Sequence, residues 1–147
     1  MTKADVPGDR LHGRWTPTRS VANQSRRAVM ADAGLFVGWG DPVTGREAKG
    51  LEVFGEALAY YAKAEQDGRI ESHETVLLAP HGGELAGFIL ARGSAEQMAA
   101  LRAEDEFERL NTRATLIVQN LGVVDAALGD GLEAAIGVYQ EAVTDLT

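Results

Sequence analysis

Cysteine is absent from the 147 residues. That excludes a disulfide framework, a thiol nucleophile and a thiolate metal site, and it suits a reducing cytoplasm, the expected location. Basic residues are also in short supply: 14 Lys and Arg face 22 Asp and Glu, for a net charge of −8. With no basic stripe there is no surface to track phosphates, so nucleic acid is excluded as a partner, and a membrane is not expected as one either. Several catalytic signatures are missing too. Gly38-x-Gly40 before Asp41-Pro42 lacks the third glycine of a dinucleotide fingerprint, and no Gly-x-Ser-x-Gly or phosphate-loop motif occurs. Glu104, Asp105, Glu106 and Glu108 fit no calcium-loop spacing and read as a solvated helix face. His73 and Glu74 are adjacent, hence on opposite faces of a strand, and no carboxylate of a predicted helix has a histidine at helical spacing, so no metal and no cofactor is expected.

What is present divides near Met30. Residues 1–29 hold Lys3, Arg10, Arg14, Arg19, Arg26 and Arg27 against Asp5 and Asp9, together with Pro7 and Pro17 and no apolar period. Such a stretch cannot bury enough surface to offset its ordering entropy, and it reads as a basic, disordered tail. Arg26-Arg27 before an apolar run is similar to a twin-arginine export signal, but Asp32 interrupts the run and cleavage would delete the first strand. A natural start at Met30 is the other reading. Residues 30–147 then form a single domain, long enough for a true core.

Within that domain Ala33 to Gly40 (AGLFVGWG) is a short apolar run closed by Asp41-Pro42, the pattern of a buried strand and a turn. Thr44 and Glu47 form a capping box for a helix whose face is Leu51, Phe54, Leu58 and Tyr61 and which Gly68 ends. Ile70 to Ala79 and Leu85 to Arg92 are strands joined by the glycine-bearing hairpin loop Pro80 to Glu84. Ser94 and Gln97 cap a second helix running through Met98, Leu101, Phe107 and Leu110, with an irregularity near Glu104-Asp105-Glu106. Thr115 to Val124 reads as the fourth strand, and Leu132, Ile136, Val143 and Leu146 mark one face of a C-terminal helix.

The order strand, helix, strand, strand, helix, strand is the ferredoxin-like α+β arrangement βαββαβ, with an additional C-terminal helix. Both strand faces are apolar: Leu85 and Ile89 oppose Phe88 and Leu90, and Leu116 and Val118 oppose Ile117 and Leu121. One helical layer covers one face. Each large side chain left bare forgoes roughly 1.5–3 kcal/mol, so the second face predicts a contact with a second copy of the chain.

These residues resemble the dimeric α/β-barrel superfamily, which includes antibiotic-biosynthesis monooxygenases, muconolactone isomerases, and YCII-related and EthD-like proteins. The likeness spans roughly residues 33–124 by element order, and Asp41-Pro42-Val43-Thr44-Gly45-Arg46-Glu47 is similar to the Pro-Val-x-Gly-Arg-Glu lead-in to the first helix of some EthD-like members. The resemblance implies a homodimer in which the sheets of two protomers form a barrel. Tyr60-Tyr61 echoes the aromatic pair of those relatives, but no histidine follows in this helix, so the resemblance carries no catalytic histidine across.

The candidate site follows from what remains. His73, on a strand face with Glu71, Thr75 and Leu77, and Arg92, at the end of the third strand, are the candidate catalytic groups, the first as acid or base and the second as a two-pronged cation. The plainer roles are a polar strand start for His73 and, for Arg92, a salt bridge to the acid-rich second helix. Trp39, Tyr61 and Phe88 are candidates to line an apolar pocket, with His81 at its rim in the hairpin loop. Two functions fit: a cofactor-independent oxygenase or isomerase of an apolar carbonyl compound, or a dimeric binding or accessory protein without turnover.

Overall fold

A computed structural model describes residues 31–147; the tail read over residues 1–29, with His12, lies outside the described residues. The elements run β1 (Ala33–Trp39), α1 (Glu47–Gln66), β2 (Ser72–Leu77), β3 (Gly87–Gly93), α2 (Ala95–Arg102), α3 (Asp105–Thr115), β4 (Gly122–Ala127) and α4 (Gly129–Asp145). The strands form one sheet in the order β2-β3-β1-β4, antiparallel throughout. This is the ferredoxin-like α+β fold, with its second helix in two pieces and a C-terminal helix added.

Register fixes which residues share a face. Leu35 stands between Ala91 and Asp125, and Val37 between Ile89 and Val123. Leu35, Val37, Ile89 and Ala91 therefore point the same way, and all four are buried in a core with Val53, Tyr60, Tyr61 and Ala64 of α1, Met98 and Leu101 of α2, and Phe107 and Leu110 of α3. The alternate residues Phe36, Phe88, Leu90 and Val76 stay partly exposed, and Val124 is exposed. Among the described residues, the helices of the core pack on the first face and not on this second one.

Helix ends behave as the sequence directs, with one exception. Gly68 takes φ +77°, where a side chain would be strained, and lets its N–H reach the Glu65 carbonyl at 3.1 Å while Arg69 N–H reaches Ala64 at 2.9 Å, a Schellman closure. Ser94 and Gln97 form the full capping box at α2. At α1 the box does not form: the Glu47 carboxylate accepts from the Gly45 N–H at 3.0 Å and 3.2 Å, and Thr44 does not take part. The buried face of α1 is also rotated from the predicted one, to Val53, Tyr60, Tyr61 and Ala64, leaving Leu51 75% exposed.

The largest correction concerns residues 115–124. Phe107, Leu110, Ala114 and Ile117 continue one helical face at three- and four-residue spacing, so α3 runs through Thr115 despite the β-branched residues that follow. Instead of a strand, residues 116–119 make a turn that pairs briefly with the chain beyond β1, through the Pro42–Val118 bridge and bonds from Gly40 N–H to Gln119 O and Val43 N–H to Ile117 O, both 2.7 Å. Arg46 also donates to the Leu116 carbonyl. Asn120, at φ 54°, then turns the chain into β4, which starts within the predicted strand and ends three residues beyond it. β2 and β3 are likewise shorter than predicted at one or both ends. Leu85 precedes β3 and sits near Gly38 on the open face, not beside Ile89.

The irregularity expected near Glu104 is a break between α2 and α3. Glu104 is extended there, and its carboxylate takes the Arg69 guanidinium and the Tyr60 hydroxyl, the latter at 3.1 Å. Arg69 also lies over the Tyr60 ring, 5.5 Å from its centre.

Candidate functional site

Between the sheet and helices α1 and α3 lies an apolar cavity of about 420 Å³. Its floor is Val37, Trp39 and Ile89, its roof includes Phe54, Ala57 and Tyr61 of α1 with Leu110 and Ala114 of α3, and Ile117 closes one end. Glycine makes room for the floor. A Cβ at Gly87, opposite Trp39, would lie 2.8 Å from the indole, so only glycine lets the ring lie flat across the neighbouring strand. Trp39 in turn meets Phe54 edge-on at 5.8 Å.

Polar groups on the cavity are few. The Tyr61 hydroxyl is buried with no hydrogen-bond partner among the described residues. Burial, and to a lesser degree the neighbouring Tyr60, pushes its pKa well above the ordinary phenol value, so it is a neutral phenol, able to donate, across the physiological range. Asn111 has its amide engaged with the Phe107 carbonyl at 2.9 Å. Glu47, at the exposed margin, is held ionised by the backbone N–H groups of its own residue and of Gly45. Leu51 and Leu77, both largely exposed, form an apolar mouth.

Of the six residues singled out in the sequence, Trp39 and Tyr61 come together on this cavity. His73 adjoins them: its ring stacks on Tyr61 at 6.2 Å, and its Nδ1 lies 2.7 Å from Glu65 Oε2, at ion-pair distance without the direction of a hydrogen bond. The other three are placed elsewhere. Phe88 is on the open face of the sheet, its ring 5.0 Å from that of Phe36. Arg92 is on that face as well, and its partner is Glu74 of β2 at 3.2 Å, not the acidic helix. His81 is tied within its own loop: Nδ1 accepts from Gly83 N–H at 3.1 Å, which assigns the proton to Nε2 and makes it the donor to Leu85 O at 2.8 Å.

Phe54, Leu110 and Ile117 complete the cavity and were not among the sequence candidates. The missed signal is the 107, 110, 114, 117 spacing, which puts Ile117 at the end of a helical face. Among the described residues no three His, Asp or Glu side chains converge to hold a metal ion, and no helix is long and apolar enough to cross a membrane.

No protein-family model matches the chain, and no curated protein matches it. Among solved structures it is similar to a dimeric protein of unknown function and ferredoxin-like fold from Bacteroides fragilis NCTC 9343, with a TM-score of 0.50 and 9% identity over 65% of this chain and 96% of that chain. At that identity the likeness shows the fold alone.

Proposed function

We propose that this chain is a homodimeric small-molecule-binding protein of the dimeric α/β-barrel kind, akin to EthD-like, antibiotic-biosynthesis monooxygenase-like and YCII-related proteins. Its ligand is apolar and carries one carbonyl-type acceptor. The observation that carries the ligand class is the largely apolar lining of the cavity, with Tyr61 in its roof and the Tyr61 hydroxyl buried and unpaired among the described residues. A buried hydroxyl left unpaired costs about 1–3 kcal/mol, and a ligand oxygen would relieve it. An anionic ligand would find no counter-charge, since the charged side chain on the lining is Glu47 at its margin. Dimerisation is supported by the uncovered apolar face around Phe36 and Phe88, and the Bacteroides fragilis protein of the same fold is dimeric. Arg92 and Glu74 would then lie within the contact between protomers, where a paired charge fixes register.

His73 favours a second reading, turnover of the same ligand without a cofactor. Stacked on Tyr61 and beside Glu65, it is the imidazole that stands next to the phenol.

Native mass spectrometry of the untagged protein tests the dimer and reports any molecule that survives purification. Phe88→Glu halves the measured mass if the open face is the contact; an unchanged mass rules that face out. For the cavity, the apolar ketone 6-propionyl-2-(dimethylamino)naphthalene serves as the probe. Its emission should shift to the blue on binding, and Ala57→Leu, which fills the roof, should abolish the shift while Phe88→Glu leaves it in place. A shift that survives Ala57→Leu and is lost in Phe88→Glu moves the site to the open face. Turnover is separated by following the ketone's consumption in the parent and in His73→Ala.

A further inference from the structure

The lining that α1 gives to the cavity follows one stripe of the helix: Glu47, Gly50, Phe54, Ala57 and Tyr61 recur in steps of three and four. Its two ends are separated by about four turns, roughly 21 Å at 1.5 Å per residue. The cavity therefore runs along α1, with a carboxylate at its exposed end and Tyr61 at the other. Among the described residues Glu47 is the one charged side chain on the lining.

That carboxylate has acceptor capacity to spare. An ionised carboxylate offers about four acceptor positions, more than the backbone N–H groups of Gly45 and of Glu47 itself can fill. The basic residues beside it in sequence are engaged elsewhere: Arg46 donates to the Leu116 carbonyl, and Lys49 pairs with Glu52 at 2.8 Å. Capping the helix explains the backbone bonds. It does not explain why an unpaired charge shares a cavity margin with Leu51 and Leu77, which are 75% and 66% exposed.

We propose that the ligand is an amphiphilic amine, its ammonium group against Glu47 and its apolar body lying along α1 toward Tyr61, which receives the acceptor that the body carries. The inference rests on the cavity being the ligand site. The remainder of the molecule favours the same sign of charge. Residues 31–147 hold twenty Asp and Glu against eight Lys and Arg, and such a field gathers cations at a concave mouth and turns anions away. A neutral compound would fit the cavity and leave the carboxylate unused, and a carboxylate head would meet Glu47 as a like charge.

Octylammonium, 1-octanol and octanoate share one chain and differ in head group, so together they separate charge from burial. Each is titrated calorimetrically into the full chain at neutral pH and low salt. Octylammonium should bind about three- to fivefold tighter than octanol, with octanoate the weakest. Glu47→Gln, which keeps an acceptor oxygen for the Gly45 N–H, should bring octylammonium down to octanol and leave octanol unchanged. Glu47→Lys should put octanoate ahead of octylammonium, and Ala57→Leu should remove binding of all three. Equal affinity for octylammonium and octanol in the parent overturns the amine while the cavity reading stands, because octanol reports the cavity alone. A preference for octylammonium that persists in both Glu47 variants overturns the role of Glu47. Octylammonium binding undiminished by Ala57→Leu places the cation on the acidic surface and overturns the proposal as well. Absence of octanol binding in the parent is the separate result that removes the cavity reading, and this inference with it.

Discussion

Leu35, Val37, Ile89 and Ala91 are sealed beneath α1 and α2, whereas Phe36, Phe88 and Leu90, their immediate neighbours along the same strands, stay partly exposed. The chemistry of the two sets is the same; what differs is the layer above. A side chain's burial is therefore a property of what its sheet face meets, and the covered face has been given a cavity as well as a core. The open face carries Phe36, Phe88 and Leu90, the kind of apolar surface that stabilises a protein only when something else lies on it.

Two substitutions break or sharpen this contrast most strongly. Ile89→Ala removes a side chain that is 2% exposed and should cost about 2–5 kcal/mol in urea-induced unfolding, at every protein concentration. Leu90→Ala, one residue away on the open face, should show a loss that depends on concentration if that face joins two copies. Equal, concentration-independent losses would erase the distinction between the faces.

Next in size is Tyr61→Phe, which should stabilise the ligand-free protein by up to about 1–3 kcal/mol by removing an unpaired buried hydroxyl. It should weaken retention of the ketone probe at the same time. The same phenol predicts a pH dependence. Tyr60 and Tyr61 both have folded pKa values raised above the ordinary phenol value of 10.0, Tyr60 by burial and then by Glu104, Tyr61 by burial and then by Tyr60. Between the unfolded and folded values the native state keeps protons that the unfolded chain releases. Their contribution is thus full below pH 10 and falls as pH rises above it. The double variant Tyr60→Phe/Tyr61→Phe should lose this alkaline sensitivity, read from melting temperature against pH; an unaltered slope would assign it elsewhere.

Smallest is Arg92→Ala. Its pair with Glu74 is exposed in the single chain, so the isolated protomer should change by no more than about 0.2–1 kcal/mol. A larger effect that appears only at concentrations supporting the dimer would place the pair inside the contact between copies.

The element order, the antiparallel hairpin, the α2 capping box and the α1 stop at Gly68 were all legible in the sequence, because each rests on local spacing or on a residue with one conformational use. The segment after Arg113 was not. Thr115, Ile117 and Val118 favour a strand by type, but their position continues the face of Phe107, Leu110 and Ala114, and packing against α1 and the sheet decides such a conflict. That one misreading hid the end wall of the cavity. Among the site residues, Trp39 and Tyr61 could be found because large aromatics beside a first strand and on a first helix converge in this topology. Phe88 and Arg92 required strand parity relative to the helices, which depends on the register with β1, and the loop bonding of His81 depends on a backbone turn that sequence does not specify.

The two helices that roof the cavity are fastened to each other twice: Tyr60 and Arg69 hold Glu104 just before α3, and Arg113 near the end of α3 holds Glu56 midway along α1. A roof pinned in this way resists parting, which leaves the side of the cavity where Leu51 and Leu77 stand exposed as its approach. Selection would then act as a sieve, rejecting molecules by girth before the phenol inside has any chance to discriminate by chemistry.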